Sequence, residues 1–440
     1  MLGIVLYANG KLTLLIGGIL FACFLLYTAF STEKIFMLLA FYIAAFPMLE
    51  YVGNFPGLPF GFAWYFAYPL FILLTVYWLI HLSKNQESLR LNQMDTAVFF
   101  YLATMGLAAV QGFLKGHDLK ILLWDFMPTT FFFGYFIFLY SPLKNKTRML
   151  YDVLLCSAIF VSVQFIYALA NYQSLVMLTR VVSEHVHIAQ FAIPYTIAIL
   201  IYSTSRRRKF ISAFFLPVIV LATIICQQRS LYASAILTIA ILFGIFLYTR
   251  REWIRKNMRL FTTYIGIVLL FIIVMGIILQ IITEGKFLLT LYARIFIFLN
   301  LSRLSADTSW RVRWGEIGNA LKGLEHFWFL GKGFGVSQIT RFRYVRQIVL
   351  DQSYMYYIWK TGVVGLLGFL YMYLMFFKRA ISTLRKSITS DERIIIITAV
   401  LNTFGMMLIA FANVSLGHFR LMFVWAALFA CTEVIARKYE

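Results

Sequence analysis

The sequence predicts an all-α, polytopic integral membrane protein, and three observations predict it: an extreme apolar composition, apolar runs of spanning length, and cations gathered in alternate loops. Hydrophobic residues make up 62% of the 440 residues, charged residues make up only 13%, and the mean hydropathy is +0.82. Soluble domains are about half apolar and a quarter charged. A soluble core cannot bury this many apolar side chains, so the composition excludes the soluble classes of protein.

The apolar runs define the predicted helices. A helix needs about 20 apolar residues to cross the hydrocarbon layer. Runs of this kind predict 12–13 transmembrane helices in a single membrane domain, residues 1–440. They cover 11–30, 34–51, 62–82, 95–113, 119–141, 150–171, 186–203, 210–226, 230–248, 260–283, 353–377, 393–415 and 418–436. The N-terminus lacks the basic region and cleavage site of a secretory signal, so we expect the first run to be retained.

The positions of the cations predict the orientation. A net charge of +21 in a membrane chain indicates cytoplasmic-loop bias, and no nucleic-acid partner is predicted. More than half of the 39 Lys and Arg residues fall in alternate loops, as in 144–148, 206–209, 250–259 and 378–393. These loops are predicted to be cytoplasmic, so the functional site is expected outside.

A long loop, 284–352, is then exoplasmic and partly helical. It holds ten Lys and Arg residues against five acids. Long loops translocate regardless of charge, so the bias is not violated. The excess of cations indicates either an anionic ligand or attraction to anionic lipid head groups.

Four segments near the predicted outer boundary hold residues that suit chemistry. Arg229 lies between two apolar runs, either as a snorkelling arginine or as a phosphate ligand. The segment 309–324 places Trp310, Trp314, Ile317, Leu321 and Leu324 on one helical face, which predicts an interfacial helix with Arg311, Arg313 and Glu316 on other faces.

The other two segments follow in the same loop. The alternate glycines of 331–335 lack the spacing of a phosphate-binding loop, which favours a tight turn or close backbone packing. Asp351 opens the next apolar run, where a carboxylate serves either as a helix cap or as a proton acceptor for a sugar hydroxyl.

Weaker outer candidates are Asp125, His185, His187, His418 and Arg420, which are expected at most to line a cavity. The two histidines at 185 and 187 do not share a helix face, and no third ligand is near in sequence. The cysteines (Cys23, Cys156, Cys226 and Cys431) form no CxxC pair. No metal site, disulfide framework or cofactor is therefore predicted.

These segments, in this order, resemble the O-antigen ligase/O-antigen polymerase superfamily of bacterial surface-polysaccharide enzymes. Four features recur in that family: an arginine after a mid-chain span, an R-x-x-W helix in a long periplasmic loop, a glycine-rich turn, and an H-N-x-Y-L start to the next span. The similar segments here are 228–230, 311–314, 331–335 and 351–355. One departure is that the family's histidine is Asp351 in this chain, which favours a polymerase or a less usual transferase over a typical ligase.

The resemblance implies a GT-C-like glycosyltransferase of the bacterial cytoplasmic membrane, with its active site facing the periplasm or exterior. Its donor would be a glycan on undecaprenyl diphosphate, transferred without metal to a sugar hydroxyl of a lipid-linked repeat. Arg229 and Arg311 would bind the diphosphate with help from Arg303 and Arg313, and Asp351 or Glu316 would accept the proton.

The resemblance also implies a chain-length regulator as a protein partner, besides the lipid-linked donor, the glycan or lipid acceptor and the membrane lipids. Two alternatives remain open. One is an O-antigen ligase, which transfers the glycan to lipid A-core or another acceptor. The other is a polysaccharide or solute transporter or flippase.

Overall fold

The structure, a computed structural model, is built of helices. It describes residues 40, 62–85, 91–140, 146–171, 186–226, 228–249, isolated residues between 262 and 292, 308–324, 326–339, 346–347, 350, 352–411 and 419–440. Its helices are α1 (Phe62–Asn85), α2 (Gln93–Leu114), α3 (Leu119–Thr130), α4 (Gly134–Leu139), α5 (Lys146–Asn171), α6 (Val186–Tyr202), α7 (Arg206–Cys226), α8 (Arg229–Thr249), α9 (Thr308–Lys322), α10 (Ser353–Leu384), α11 (Ser390–Ala410) and α12 (Phe419–Lys438). A 3-10 turn (Phe131–Phe133) joins α3 to α4, and the two-residue strands β1 (Gln338–Ile339) and β2 (Arg346–Gln347) pair antiparallel.

The prediction of a polytopic helical membrane protein is confirmed. Seven helices within the described residues are long and apolar enough to cross a membrane, and the shorter apolar helix His187–Tyr202 accompanies them. The predicted helices 11–30 and 34–51 lie outside the described residues apart from Ala40, and 260–283 is described only at isolated helical positions. The predicted total of 12–13 spans stays a prediction.

Local capping signals set where several helices begin. The Asn92 side chain accepts the backbone N–H groups of Met94 and Asp95, and the Asp95 carboxylate accepts the N–H of Asn92 in return. Thr389 and Glu392 form the same reciprocal arrangement at the start of α11. Such caps satisfy backbone donors that the first turn of a helix leaves free, so α2 and α11 begin two or three residues before their apolar runs.

A layer of ion-paired side chains closes one end of the bundle. It consists of Asp95, Asp152, Arg208, Arg379, Asp391, Glu433 and Arg437. Arg437 bridges the wholly buried carboxylates of Asp95 and Glu433, and Arg379 also binds Glu433 at 2.7 Å. Tyr135 donates its hydroxyl to Asp95 at 2.6 Å. Buried carboxylates are tolerated when they are paired in this way.

The same layer continues to the helices on the other side of α11. Arg208 reaches Asp391 at 2.9 Å and Asp152 at 3.2 Å, and the next residue, Glu392, binds Lys438 at 2.8 Å. The helix ends that carry the basic loops therefore lie together at one end of the bundle. The described residues that lead into α10 lie at the opposite end, because α10 starts there and runs toward Arg379.

Candidate functional site

Helix α9, which carries three of the predicted site residues, packs on the beginning of α10. Ala320 of α9 and Leu324, two residues beyond its end, are buried in one apolar cluster with Leu350, Tyr356 and Trp359. Part of the long loop is therefore packed on the first turns of a helix that is long enough to span a membrane.

The buried face of α9 differs from the predicted face. Glu316 is only 2% exposed and lies with Ile317, Ala320 and Leu324 on the buried side, whereas Trp314 is 54% exposed. The predicted face is therefore divided: Ile317 and Leu324 are buried, whereas Trp314 is exposed, in a position that suits a lipid–water interface.

Helix α10 is broken at Gly362, where the backbone adopts φ +68° and ψ −171°. The break frees carbonyl groups before it and N–H groups after it, and loop residues satisfy both sets. The N–H groups of Lys332 and Gly333 donate to the carbonyls of Trp359 and Lys360 at 3.0 and 2.9 Å. The missing helical hydrogen bonds are thus replaced from a segment 27 residues upstream in the chain.

The second half of α10 is completed in the same way. The N–H groups of Val363 and Val364 donate to the carbonyls of Trp328 and Phe329 at 2.9 and 3.2 Å. Irregular backbone at membrane depth is stable only when such partners exist, because hydrocarbon offers none. The loop segment 326–335, which we call the stapled loop, therefore forms one structural unit with the break in α10.

The glycines of the stapled loop allow its close approach to two helices. Gly331, Gly333 and Gly335 all have positive φ, between 71° and 88°. A side chain at Gly333 would lie 2.6 Å from the backbone nitrogen of Gly112 in α2. The expectation for 331–335 was a tight turn or close backbone packing, and the structure shows the close packing.

A buried ion pair lies beneath this turn. Lys360 of α10 binds the carboxylate of Asp125 in α3, and both side chains are inaccessible to solvent. Tyr356 donates its hydroxyl to Asp125 Oδ1 at 2.8 Å, and the N–H of Gly335 donates to Oδ2 at 2.8 Å. The Asp125 carboxylate is thus bound by α10 and the turn at once.

The sequence analysis did not recognise this pair, although a signal for it exists. Lys360 is the single charged residue of the apolar run 353–377, and a charge inside a spanning segment marks a paired or functional position. Asp125 was expected at most to line a cavity. The structure shows it bound by Lys360, Tyr356 and the N–H of Gly335, so the pair connects α3, α10 and the turn.

Two further cations lie at the exposed side of the stapled loop. Lys115, just after α2, donates its ammonium group to the carbonyl of Lys332 at 3.3 Å and lies 4.1 Å from the ring centre of Phe327. Partial burial, together with the nearby charge of Lys332, lowers the pKa of Lys115. Positive charge is therefore concentrated where the loop meets α2.

The predicted site residues are placed only in part. Arg311 is exposed and Arg313 half-buried on α9, and Leu350, next to Asp351, is buried beneath that helix. Asp351 and Arg303 lie outside the described residues. Arg229 begins α8, but its side chain is outside the description, so its predicted meeting with Arg311 stays a prediction.

Among the residues that the structure describes, no group of three or more His, Cys, Asp or Glu side chains is suited to hold a metal ion. No protein-family model matches the chain, and no curated protein matches it in sequence.

Proposed function

We propose that this protein is a metal-independent glycosyltransferase that moves a polyprenyl-diphosphate-linked glycan onto a sugar hydroxyl of a second lipid-linked repeat. The observation that supports this most is the packing of α9, which carries Arg311 and Arg313, on the start of α10. Guanidinium groups bind phosphate oxygens in a bidentate manner and stay charged at any physiological pH. Fixed cations at this site suit a reaction in which diphosphate is the leaving group.

In the proposed step the acceptor hydroxyl oxygen attacks the anomeric carbon of the donor glycan. The bond from that carbon to the diphosphate oxygen breaks, and the diphosphate leaves with the electron pair. Arg229, Arg311, Arg303 and Arg313 stabilise the charge that develops on it. Asp351 takes the hydroxyl proton, and the buried Glu316, one helical turn from Arg313, supports that arginine.

The arginine assignment predicts a large loss of activity. Purified protein is incubated with a synthetic undecaprenyl-diphosphate repeat, and polymer formation is followed by gel. Arg311→Ala and Arg229→Ala are each expected to slow polymerisation by about 100-fold, the effect of removing one preorganised charge-stabilising group. Lys322→Ala, at the exposed far end of the same helix as Arg311, is the matched control and should retain activity.

Full activity of both arginine variants would contradict the diphosphate assignment. A divalent-metal requirement, seen as loss of polymer with chelator, would contradict the metal-independent mechanism. For Asp351→Asn, unchanged rates across the pH range would contradict its role as proton acceptor. If the wild-type enzyme transfers glycan to a lipid A-core acceptor but does not extend repeats, the ligase alternative replaces the polymerase.

The orientation of the site gives a separate prediction. Lys120, exposed near the start of α3, and Arg207, exposed near the start of α7, lie at opposite ends of the bundle. Lys120→Cys should react with a membrane-impermeant maleimide added outside intact cells, whereas Arg207→Cys should react only after permeabilisation. The reverse pattern would place the proposed site on the cytoplasmic side and refute the periplasmic assignment.

One observation favours the transport alternative. Discontinuous helices with buried charges near the break are characteristic of secondary transporters, and α10 has both features. In proteoliposomes, a transporter would carry a fluorescent lipid-linked glycan across the bilayer without lengthening it. Polymer formation with no transbilayer movement would reject transport.

A further inference from the structure

The stapled loop presents a row of large apolar side chains on its outer surface. Four consecutive side chains are between 40% and 71% exposed: Phe327, Trp328, Phe329 and Leu330. Their backbone is fixed, because the carbonyls of Trp328 and Phe329 accept the N–H groups of Val363 and Val364 in α10. This apolar face, residues 327–330, is therefore held outward by hydrogen bonds to a helix that is long enough to span a membrane.

The apolar face lies at the level where the chain turns between two spans. Helix α2 and the segment Leu119–Leu139 are both long and apolar enough to cross a membrane, so the polar turn 115–118 between them marks a membrane surface. The side chains of Gln111 and Lys115 donate to the carbonyls of Gly331 and Lys332 at 3.0 and 3.3 Å. The stapled loop is thus at a lipid–water interface, where aromatic side chains are enriched.

Two ammonium groups lie beside the apolar face. Lys115 Nζ is 4.1 Å from the ring centre of Phe327. Partial burial and the charge of Lys332 both lower the pKa of Lys115, so the two cations repel each other. Among the described residues neither lysine forms an ion pair, and Asp118, the acid nearest to Lys115 in sequence, caps α3. An anionic group bound by both lysines would relieve the repulsion.

Both lysines are also placed where a cation stabilises the end of a helix. Lys115 directly follows α2, and the Lys332 ammonium group lies beside Gly323, directly after α9, since a side chain at Gly323 would be 2.9 Å from Lys332 Nζ. The last turn of a helix carries partial negative charge, which attracts cations. That contribution does not depend on the surrounding lipid, whereas a lipid site does.

We infer that Lys115 and Lys332 together bind the phosphate group of an anionic phospholipid, whose acyl chain lies along the apolar face. Interfacial lysines attract anionic lipid, and the apolar face offers its chain a surface at the right depth. Gly323 follows Arg313 by ten residues, which is about 15 Å along a helix. The lipid site is thus separate from the arginines that we assign to diphosphate, and it does not depend on the proposed function.

Photolabelling tests the lipid site without requiring activity. Full-length protein is placed in phosphatidylcholine nanodiscs that contain a trace of phosphatidylglycerol with a diazirine in its acyl chain, and labelled peptides are identified by mass spectrometry. The comparison probe is phosphatidylcholine with the same diazirine chain. We expect the anionic probe to label the peptide that contains 326–335 about tenfold or more strongly, because two interfacial lysines favour it.

Variants of the two lysines make the result specific. Lys115→Gln and Lys332→Gln should each lower phosphatidylglycerol labelling of this peptide by about fivefold. Lys332→Arg keeps the charge and should retain the labelling. Lys120→Gln, which removes an exposed lysine beyond the same turn, is the matched control and should leave the labelling unchanged. Equal phosphatidylcholine labelling in every variant checks that the stapled loop stays in place.

Equal labelling by the two probes, or phosphatidylglycerol labelling that neither Gln variant reduces, would overturn the lipid site. Competition separates the sources of phosphate: unlabelled phosphatidylglycerol should displace the probe, whereas soluble glycerol phosphate and undecaprenyl phosphate at the same amount should not. Displacement by glycerol phosphate or by undecaprenyl phosphate alone would overturn the assignment to a phospholipid. None of these outcomes bears on the transferase proposal, because no glycan donor is present.

Discussion

Gly362→Ala is expected to lower the free energy of unfolding by about 3 kcal/mol or more. The residue has a positive φ, which costs a non-glycine residue about 1–3 kcal/mol. In addition, the new methyl group would fall on the carbonyl oxygen of Phe329, which is backbone and cannot rotate away. The loop carbonyls would lose their hydrogen bonds to the N–H groups of Val363 and Val364. The contacts by which the stapled loop completes α10 would therefore break.

Thermal unfolding of the purified protein in detergent, followed by fluorescence-detected size exclusion, measures this effect. Gly106→Ala in α2 and Gly318→Ala in α9 are matched controls, because a side chain at either position has no other atom within 4 Å. Both controls should be neutral or slightly stabilising, since alanine favours helix. A melting temperature of Gly362→Ala equal to that of the controls would show that the hydrogen bonds between the stapled loop and α10 contribute little to stability.

Removing one member of the Asp125–Lys360 pair is expected to destabilise the protein by about 3–5 kcal/mol, since the remaining charge would be buried without compensation. Asp125→Asn leaves the Lys360 ammonium group in an apolar environment, and Lys360→Met leaves a carboxylate bound only by Tyr356 and Gly335. Protease cleavage within the loop 326–335 should increase in both variants, because the pair anchors the turn.

A double variant separates the stabilisation that comes from the ion pair from the cost of burying its two charges. Asp125→Leu combined with Lys360→Met should be more stable than either single variant, because replacing both charges by apolar groups removes the desolvation cost. Arg148→Ala is the comparison for an exposed pair, since Arg148 lies 3.4 Å from Asp391 with about half its side chain exposed, and it should cost less than about 1 kcal/mol. A double variant less stable than both single variants would contradict this account.

The helices were predictable from sequence because hydropathy is a local property. Helix α10 begins at Ser353 as predicted but continues to Leu384, beyond the predicted end at 377. The extension arises because Arg379 is paired with Glu433 and Glu440, so charged residues that resemble a loop remain helical. Likewise, α2 and α11 begin earlier than predicted because capping side chains extend them into polar sequence.

The stapled loop could not be predicted because it depends on contacts between distant segments. Asp125 and Lys360 are 235 residues apart, and no local pattern links them. The glycines of 331–335 indicated a tight turn, but not that their backbone completes a broken helix. For α9, periodicity indicated a helix correctly, whereas its buried side depends on packing against distant residues such as Tyr356 and Trp359.

The dependence of α10 on the stapled loop has a consequence for biosynthesis. The amide groups of Val363 and Val364 would enter hydrocarbon unpaired if this span were inserted alone, at a cost of several kcal/mol for each group. The segment 326–335 is translated before α10, and its docking surface on α2 is translated earlier still. We expect the ribosome-bound intermediate to keep this segment near the membrane until residue 384 has emerged. Helix α10 and the stapled loop would then enter the bilayer together.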